Sequence, residues 1–207
     1  MGVPVLILGK SASGKTYSIK GFDPSVPGIF SVEKGRLPFK GDYKVKTRAT
    51  YKDINSIFKD PKKKVYIIDD SQYLLVNELF DRAKEVGYQK YTDMAVAFRN
   101  LVHNVNYLLP DDVVVYFLHH TETDDFGRIK AKTVGKMIDS KLTLEGMFSV
   151  VLLCGTDGKD HWFETTSDGV NTAKTPMDMF DSNRIDNDLK MVDTTIREYW
   201  GLGKIGN

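Results

Sequence analysis

Gly9, Lys10, Ser11, Ala12, Ser13, Gly14, Lys15 and Thr16 spell G-x-x-x-x-G-K-[ST], directly after a continuously apolar run at residues 3–8. The apolar run is too short for a helix and has no polar face, which marks a parallel strand covered on both sides. Glycines at both ends of the motif permit backbone torsions that a side chain obstructs, so successive N–H groups wrap a phosphate. Residues 16–20 have helix character before Gly21 and Pro24, which would set the loop at the positive end of a helix. Lys15 is then placed to bridge β- and γ-phosphate oxygens, and the Thr16 hydroxyl to ligate Mg²⁺. Tyr17 completes the nucleotide-contacting stretch, 9–17.

A strand–loop–helix opening commits the rest of the chain to alternating units. Strand patterns follow at 28–32, 65–68, 113–118 and 148–154, and residues 161–165 with 170–174 read as a hairpin about Asp168 and Gly169. Helical spacing covers 51–58, 74–86, 93–109, 135–142 and, as one or two helices, 185–200. The expected fold is α/β, a mostly parallel sheet with helices on both faces and a C-terminal hairpin and helix. It makes one domain over 1–207, with a core to about residue 180 and a helical segment from about 181.

The 207 residues and 41% hydrophobic content suffice for one such core. Lys plus Arg number 29 against 28 Asp plus Glu, so no bulk field would hold a polyanion and any nucleic-acid contact must be local. No stretch is long enough to span a membrane and no secretory leader is visible. The lone Cys154, in an apolar run, fits a buried thiol in a reducing cytoplasm.

Ligands of parallel sheets sit at the carboxyl ends of the strands. That rule gathers the loop with Glu33, Asp69, Asp70, His119 and His120. Asp69 ends the strand at 65–68 and is placed to hold Mg²⁺ opposite Thr16. Either Glu33 or Asp70 is positioned to activate water. His119 and His120 stand where a polar side chain would sense a γ-phosphate, although two adjacent residues of an extended chain cannot both face it. A histidine metal centre is disfavoured, since only His103 and His161 remain and neither has ligand spacing.

Beyond the loop, the matching pieces are Glu33–Lys34–Gly35, the strand ending Ile68, Asp69, Asp70, and the strand ending His119, His120. Residues 145–151 and 172–176 add to them. Together these resemble the phage-encoded AAA-type P-loop ATP-binding proteins with a minimal RecA-like core, among them the Sak-type single-strand annealing recombinases. The resemblance implies a RecA-type sheet, in which the fourth strand lies between the loop strand and the Asp69 strand, and it implies ATP and Mg²⁺ as ligands. It favours Glu33 over Asp70 as the base, while Asp70 departs from the small hydroxyl residue many relatives keep there. It further implies that Lys174 reaches a neighbouring subunit's nucleotide in a homo-oligomeric ring or filament. Single-stranded DNA would bind at 121–133, through Arg128, Lys130 and Lys132 with Phe126 as a stacking surface. Tyr88, Gln89, Lys90 and Tyr91 form a second candidate loop.

These residues lead to an Mg-dependent ATPase of phage DNA recombination or replication, in the bacterial cytoplasm. Two other readings use the same loop: a small-molecule or nucleotide kinase, and a nucleotide-dependent accessory protein that loads a helicase or recombinase. Arginines are too dispersed for the arginine-rich lid of a kinase.

Overall fold

A computed structural model describes residues 1–33, 35–139 and 142–205. The chain runs β1 (Val3–Gly9), a 3₁₀ helix (Tyr17–Gly21), β2 (Pro27–Ser31), β3 (Val45–Thr47), α1 (Tyr51–Phe58), β4 (Val65–Asp69), α2 (Tyr73–Asp81) and α3 (Gln89–Leu108). It continues through β5 (Val114–Thr123), β6 (Ile129–Ala131), α4 (Lys136–Asp139), a 3₁₀ turn (Leu144–Met147), β7 (Val150–Thr156), β8 (His161–Glu164), β9 (Arg184–Asp186) and α5 (Leu189–Trp200).

The strands form one sheet in the order β3-β2-β4-β5-β1-β7-β8-β9, with β6 paired to β5 alone. Pairing is parallel from β3 to β7 and antiparallel at β8 and β9. Strand alternation explains the layers. Val5 and Ile7 pack with Ile19, Phe22 and the α5 residues Leu189, Val192 and Ile196. Leu6 and Leu8 pack on the other face with Ile54, Leu75, Phe98 and Leu101 of α1, α2 and α3. With both faces buried, β1 and β4 have no reason to alternate polar and apolar residues, which is why they read as unbroken apolar runs. The phosphate loop leaves the carboxyl end of β1, and β5 separates β1 from β4, so the fold is a RecA-like P-loop α/β fold.

Several expectations need correction. Residues 161–165 and 170–174 do not pair. The turn at Asp168 and Gly169 exists, with the Asp168 carboxylate accepting from Val170 and Asn171 amides. However, β8 is claimed by β7 and β9, and Lys174 instead bridges Val151 antiparallel. The helix after the loop is a five-residue 3₁₀ helix, so little macrodipole would back a phosphate there, which leaves the loop amides as the donors on offer. The fourth strand does not stop at 118: it continues through both histidines to Thr123 and folds back with β6, so 121–133 is a hairpin. α2 ends at Asp81, where Arg82 leaves the helix to gather Glu78, Glu85 and Asp93, and α3 begins earlier, at Gln89. Only residues 136–139 of the helix expected at 135–142 are helical among the described residues, and 140–141 lie outside them. Edge strand β3 had no sequence signal, being three residues long with two exposed. Lys34 of the Glu-x-Gly segment also lies outside the described residues.

Candidate functional site

The loop has the shape its glycines foretell. Ala12 (φ 63°) and Gly14 (φ 102°) are left-handed, and such reversals turn successive amides into one concave nest. A Cβ at Gly9 would collide with Ser13 Oγ, and one at Gly14 would stand 2.9 Å from the His161 ring. Neither glycine can be replaced without moving the loop. Lys15 is buried, and its Nζ donates to the Gly9 and Lys10 carbonyls, both at 2.8 Å, which curls the ammonium over the nest.

Thr16 and Asp69, 53 residues apart, meet directly: Thr16 Oγ1 donates to Asp69 Oδ1 at 2.9 Å. This pairing is what a magnesium site would need, a hydroxyl and a carboxylate brought together at the carboxyl edge of the sheet. With the nest and Lys15, it makes the residues fit a Mg²⁺–triphosphate. Thr16 and Asp69 would hold the cation, and the loop amides and Lys15 the phosphates.

The two histidines separate as an extended strand requires. His119 is wholly buried against Phe98, its Nε2 donating to the Lys132 carbonyl at 2.8 Å and its Nδ1 accepting from Ser71 Oγ at 2.9 Å. Burial holds its pKa down, at about 4, so it is neutral at physiological pH. Both ring nitrogens are engaged by the protein, which removes His119 from direct nucleotide contact and makes it a strut between the Asp69 turn and the β5–β6 hairpin. His120 faces the site: its Nε2 donates to Asp70 Oδ1 at 3.1 Å, and β1 ends beside it, with Gly9 opposite His120. Asp70 is buried in a left-handed conformation (φ 59°), an uncommon geometry for a side-chain-bearing residue.

Glu33 is exposed past the end of β2, whose Ser31 lies opposite Asp69, and Val32 N donates to the Asp69 carbonyl at 3.1 Å. It lines a cleft of about 660 Å³ with Arg48, Tyr51 and Asp81. Lys174 is exposed, and its bridge partner Val151 lies opposite Leu6, so its backbone joins the sheet well before the loop of its own chain begins.

The β5–β6 hairpin carries the three basic residues singled out for nucleic acid, and it has already engaged two. Arg128 Nε donates to Asp124 at 2.9 Å, with its guanidinium 5.5 Å from the Phe126 ring. Lys130 pairs with Glu122 and Asp139, at 3.0 and 2.8 Å. Lys132 is exposed while its backbone ties to His120. The basic track is therefore narrower than the sequence implied, and Phe126, 84% exposed, is its most prominent feature. In the second candidate loop Tyr88 is exposed and Tyr91 packs on the core.

One wall of the site had no counterpart in the sequence reading. His161 opens β8, and its Nδ1 donates to the carbonyl of Ser13, 148 residues away, at 3.0 Å. Asn187, just after β9, sits beside it, with Oδ1 3.1 Å from where a Gly14 Cβ would be. Only the three-dimensional return of β8 and β9 past β7 reveals these two. No group of His, Cys, Asp and Glu suited to a metal ion occurs among the described residues, and no helix there is long and apolar enough to cross a membrane.

No protein-family model matches the sequence, and no curated protein matches it. Among solved structures, the chain is similar to a DnaB-like replicative helicase studied for its interactions with primase, at 16% identity and a TM-score of 0.49. That likeness covers 75% of this chain and 47% of the helicase chain, so this protein spans about half of the helicase's length.

Proposed function

We propose that residues 1–207 act as one Mg-dependent ATPase unit whose nucleotide state controls contact with single-stranded DNA in recombination or replication. The observation that carries this reading is the direct Thr16–Asp69 hydrogen bond beside the Lys15-capped nest. It unites the hydroxyl, carboxylate and ammonium that a bound Mg²⁺–triphosphate requires.

Mg²⁺, when bound, neutralises charge on the β- and γ-phosphoryl oxygens. The chain supplies the remainder. Loop amides orient the phosphates, and Lys15 offsets charge that grows on them as the terminal bond breaks. Glu33 is our choice for orienting the attacking water, because it is exposed at the end of the strand beside β4, whereas Asp70 is buried and committed to His120. His120 reads the γ-phosphate end and passes its position along β5 to the hairpin bearing Phe126 and Arg128. Lys174, exposed and with its backbone joined to the sheet level with Leu6, serves a neighbouring copy in a ring or filament, consistent with the resemblance to Sak-type annealing recombinases. Phage DNA metabolism in the bacterial cytoplasm is the setting this resemblance supplies.

The test is release of phosphate from MgATP by the purified protein, with and without an oligothymidylate strand. The reading expects turnover that rises with the strand and with protein concentration. Absence of turnover under every condition would overturn the enzymatic reading.

A further inference from the structure

We infer that the groove beside the phosphate loop, lined by Tyr17, Asp160, His161, Asp186 and Asn187, seats the nucleobase and favours a purine bearing an exocyclic amino group. This rests on the nucleoside-triphosphate reading above and deepens it by assigning the half of the ligand that the loop motif leaves open.

Direction comes from the sheet. β1 lies between β5 and β7, and Asp69 ends β4 on the β5 side. A triphosphate whose terminal end is held by Lys15 and by a cation between Thr16 and Asp69 must leave the loop on the opposite side. There, β7, β8 and β9 follow in order, and a groove of about 490 Å³ opens against Tyr17, within the usual range for a small-molecule site. The groove and the loop share a wall, since His161 both lines the groove and donates to Ser13, while Asn187 lies against Gly14.

The groove also has the chemistry of a base site. Tyr17 follows Thr16 immediately and is 42% exposed, and its ring is bordered by Phe39, edge-on at 6.4 Å, by the His161 ring at 6.2 Å and by Lys20 Nζ, 5.2 Å from the ring centroid and 3.2 Å from the hydroxyl. An exposed aromatic ring bordered by other rings beside a phosphate loop is a stacking platform. The lining includes Lys159, but acceptors outnumber it. Asp160 and Asp186 contribute carboxylates, and Asn187 Oδ1 is buried with no hydrogen-bond partner among the described residues. Carboxylates repel the phosphates and accept from amino groups, so the same rim that excludes the triphosphate tail from the groove welcomes the amino edge of adenine or guanine.

Photolabelling with 8-azidoadenosine triphosphate and Mg²⁺, with peptide mapping, tests the placement. The expected label falls on Tyr17, on residues 159–161 or on 186–187, and both tripolyphosphate and ATP displace it. Label elsewhere that tripolyphosphate still displaces would overturn the groove assignment and leave the phosphate loop intact. No displaceable label would overturn both. In equilibrium binding, ATP should bind about tenfold tighter than tripolyphosphate, the scale of one stacked base, and tighter than ITP, whose purine lacks the amino group. Tyr17→Ala should remove most of that advantage. Equal affinities for all three in the unaltered protein would refute the selection of an amino-bearing purine.

Discussion

At the edge where the strands begin, Arg197 of α5 is buried and donates to the Asp193 carboxylate at 2.6 Å, to the Asp112 carbonyl at 2.8 Å and to the Lys64 carbonyl at 2.9 Å. Asp193 accepts in turn from the Tyr116 hydroxyl at 2.8 Å. At the edge where the strands end, Lys15 is equally buried, and its Nζ donates to two carbonyls of its own loop. Arg197 ties a helix to the starts of two strands; Lys15 stands inside the loop that a triphosphate would enter. A buried cation that joins a helix to strand starts locks the fold, whereas one inside a glycine-rich loop can exchange its carbonyl acceptors for a ligand. Backbone geometry agrees, because left-handed Ala12 and Asp70 both stand at the strand-end edge.

The sharpest way to break this contrast is to remove each cation or its partner. Lys15→Ala should lower MgATP turnover by roughly a hundredfold or more, in line with deletion of a preorganised charge from a phosphoryl-transfer site. The thermal midpoint should move by no more than a few degrees. Asp193→Ala should do the reverse. Stranding a buried guanidinium costs about 3–5 kcal/mol, which corresponds to a drop of roughly 10 °C in the thermal midpoint for a chain of this size. MgATP affinity, measured well below that midpoint, should hold. A large stability loss in the Lys15 variant would erase the distinction.

His119 sharpens it further, since it is a buried polar group at the functional edge that behaves structurally. Its folded pKa is depressed to about 4 from an unfolded value of 6.5. The unfolded chain therefore binds the extra proton first as pH falls, and stability declines from about pH 6.5 down to about pH 4, then levels off. The loss is on the order of 3 kcal/mol. Asp193, whose pKa burial raises, contributes the opposite slope at the acid end, so the comparison must be with His119→Gln, in which the decline should be absent. Urea unfolding at a series of pH values reads this out. The smallest effect belongs to the hairpin: Arg128→Ala should weaken oligothymidylate binding several-fold and lower the salt slope by about 0.7, the share of one phosphate contact on a single strand. An unchanged slope would remove Arg128 from the interface.

What the sequence revealed follows the range of the interactions. The loop, β1, and β4 ending in Asp69 were legible because each is a local pattern: apolar run, glycine positions, terminal carboxylate. The pairing of β8 was not, because Asp168 and Gly169 make a genuine turn that advertises a hairpin while the flanking segments find other partners. His161 and Asn187 were invisible for the same reason, their roles depending on β8 and β9 returning past β7. The histidine pair was half legible: strand alternation required the two to diverge, but only the contacts with Ser71 and Lys132 show which one turns inward. Lys130 read as a free phosphate ligand until its acidic neighbours on the hairpin and α4 came into view.

Titration calorimetry of MgATP into the unaltered protein and into Lys15→Ala tests the central claim most directly. The account predicts saturable binding near one nucleotide per chain in the former, and loss of at least about tenfold in affinity in the latter without loss of fold. No heat of binding at millimolar MgATP, or equal affinity in the two proteins, would contradict it.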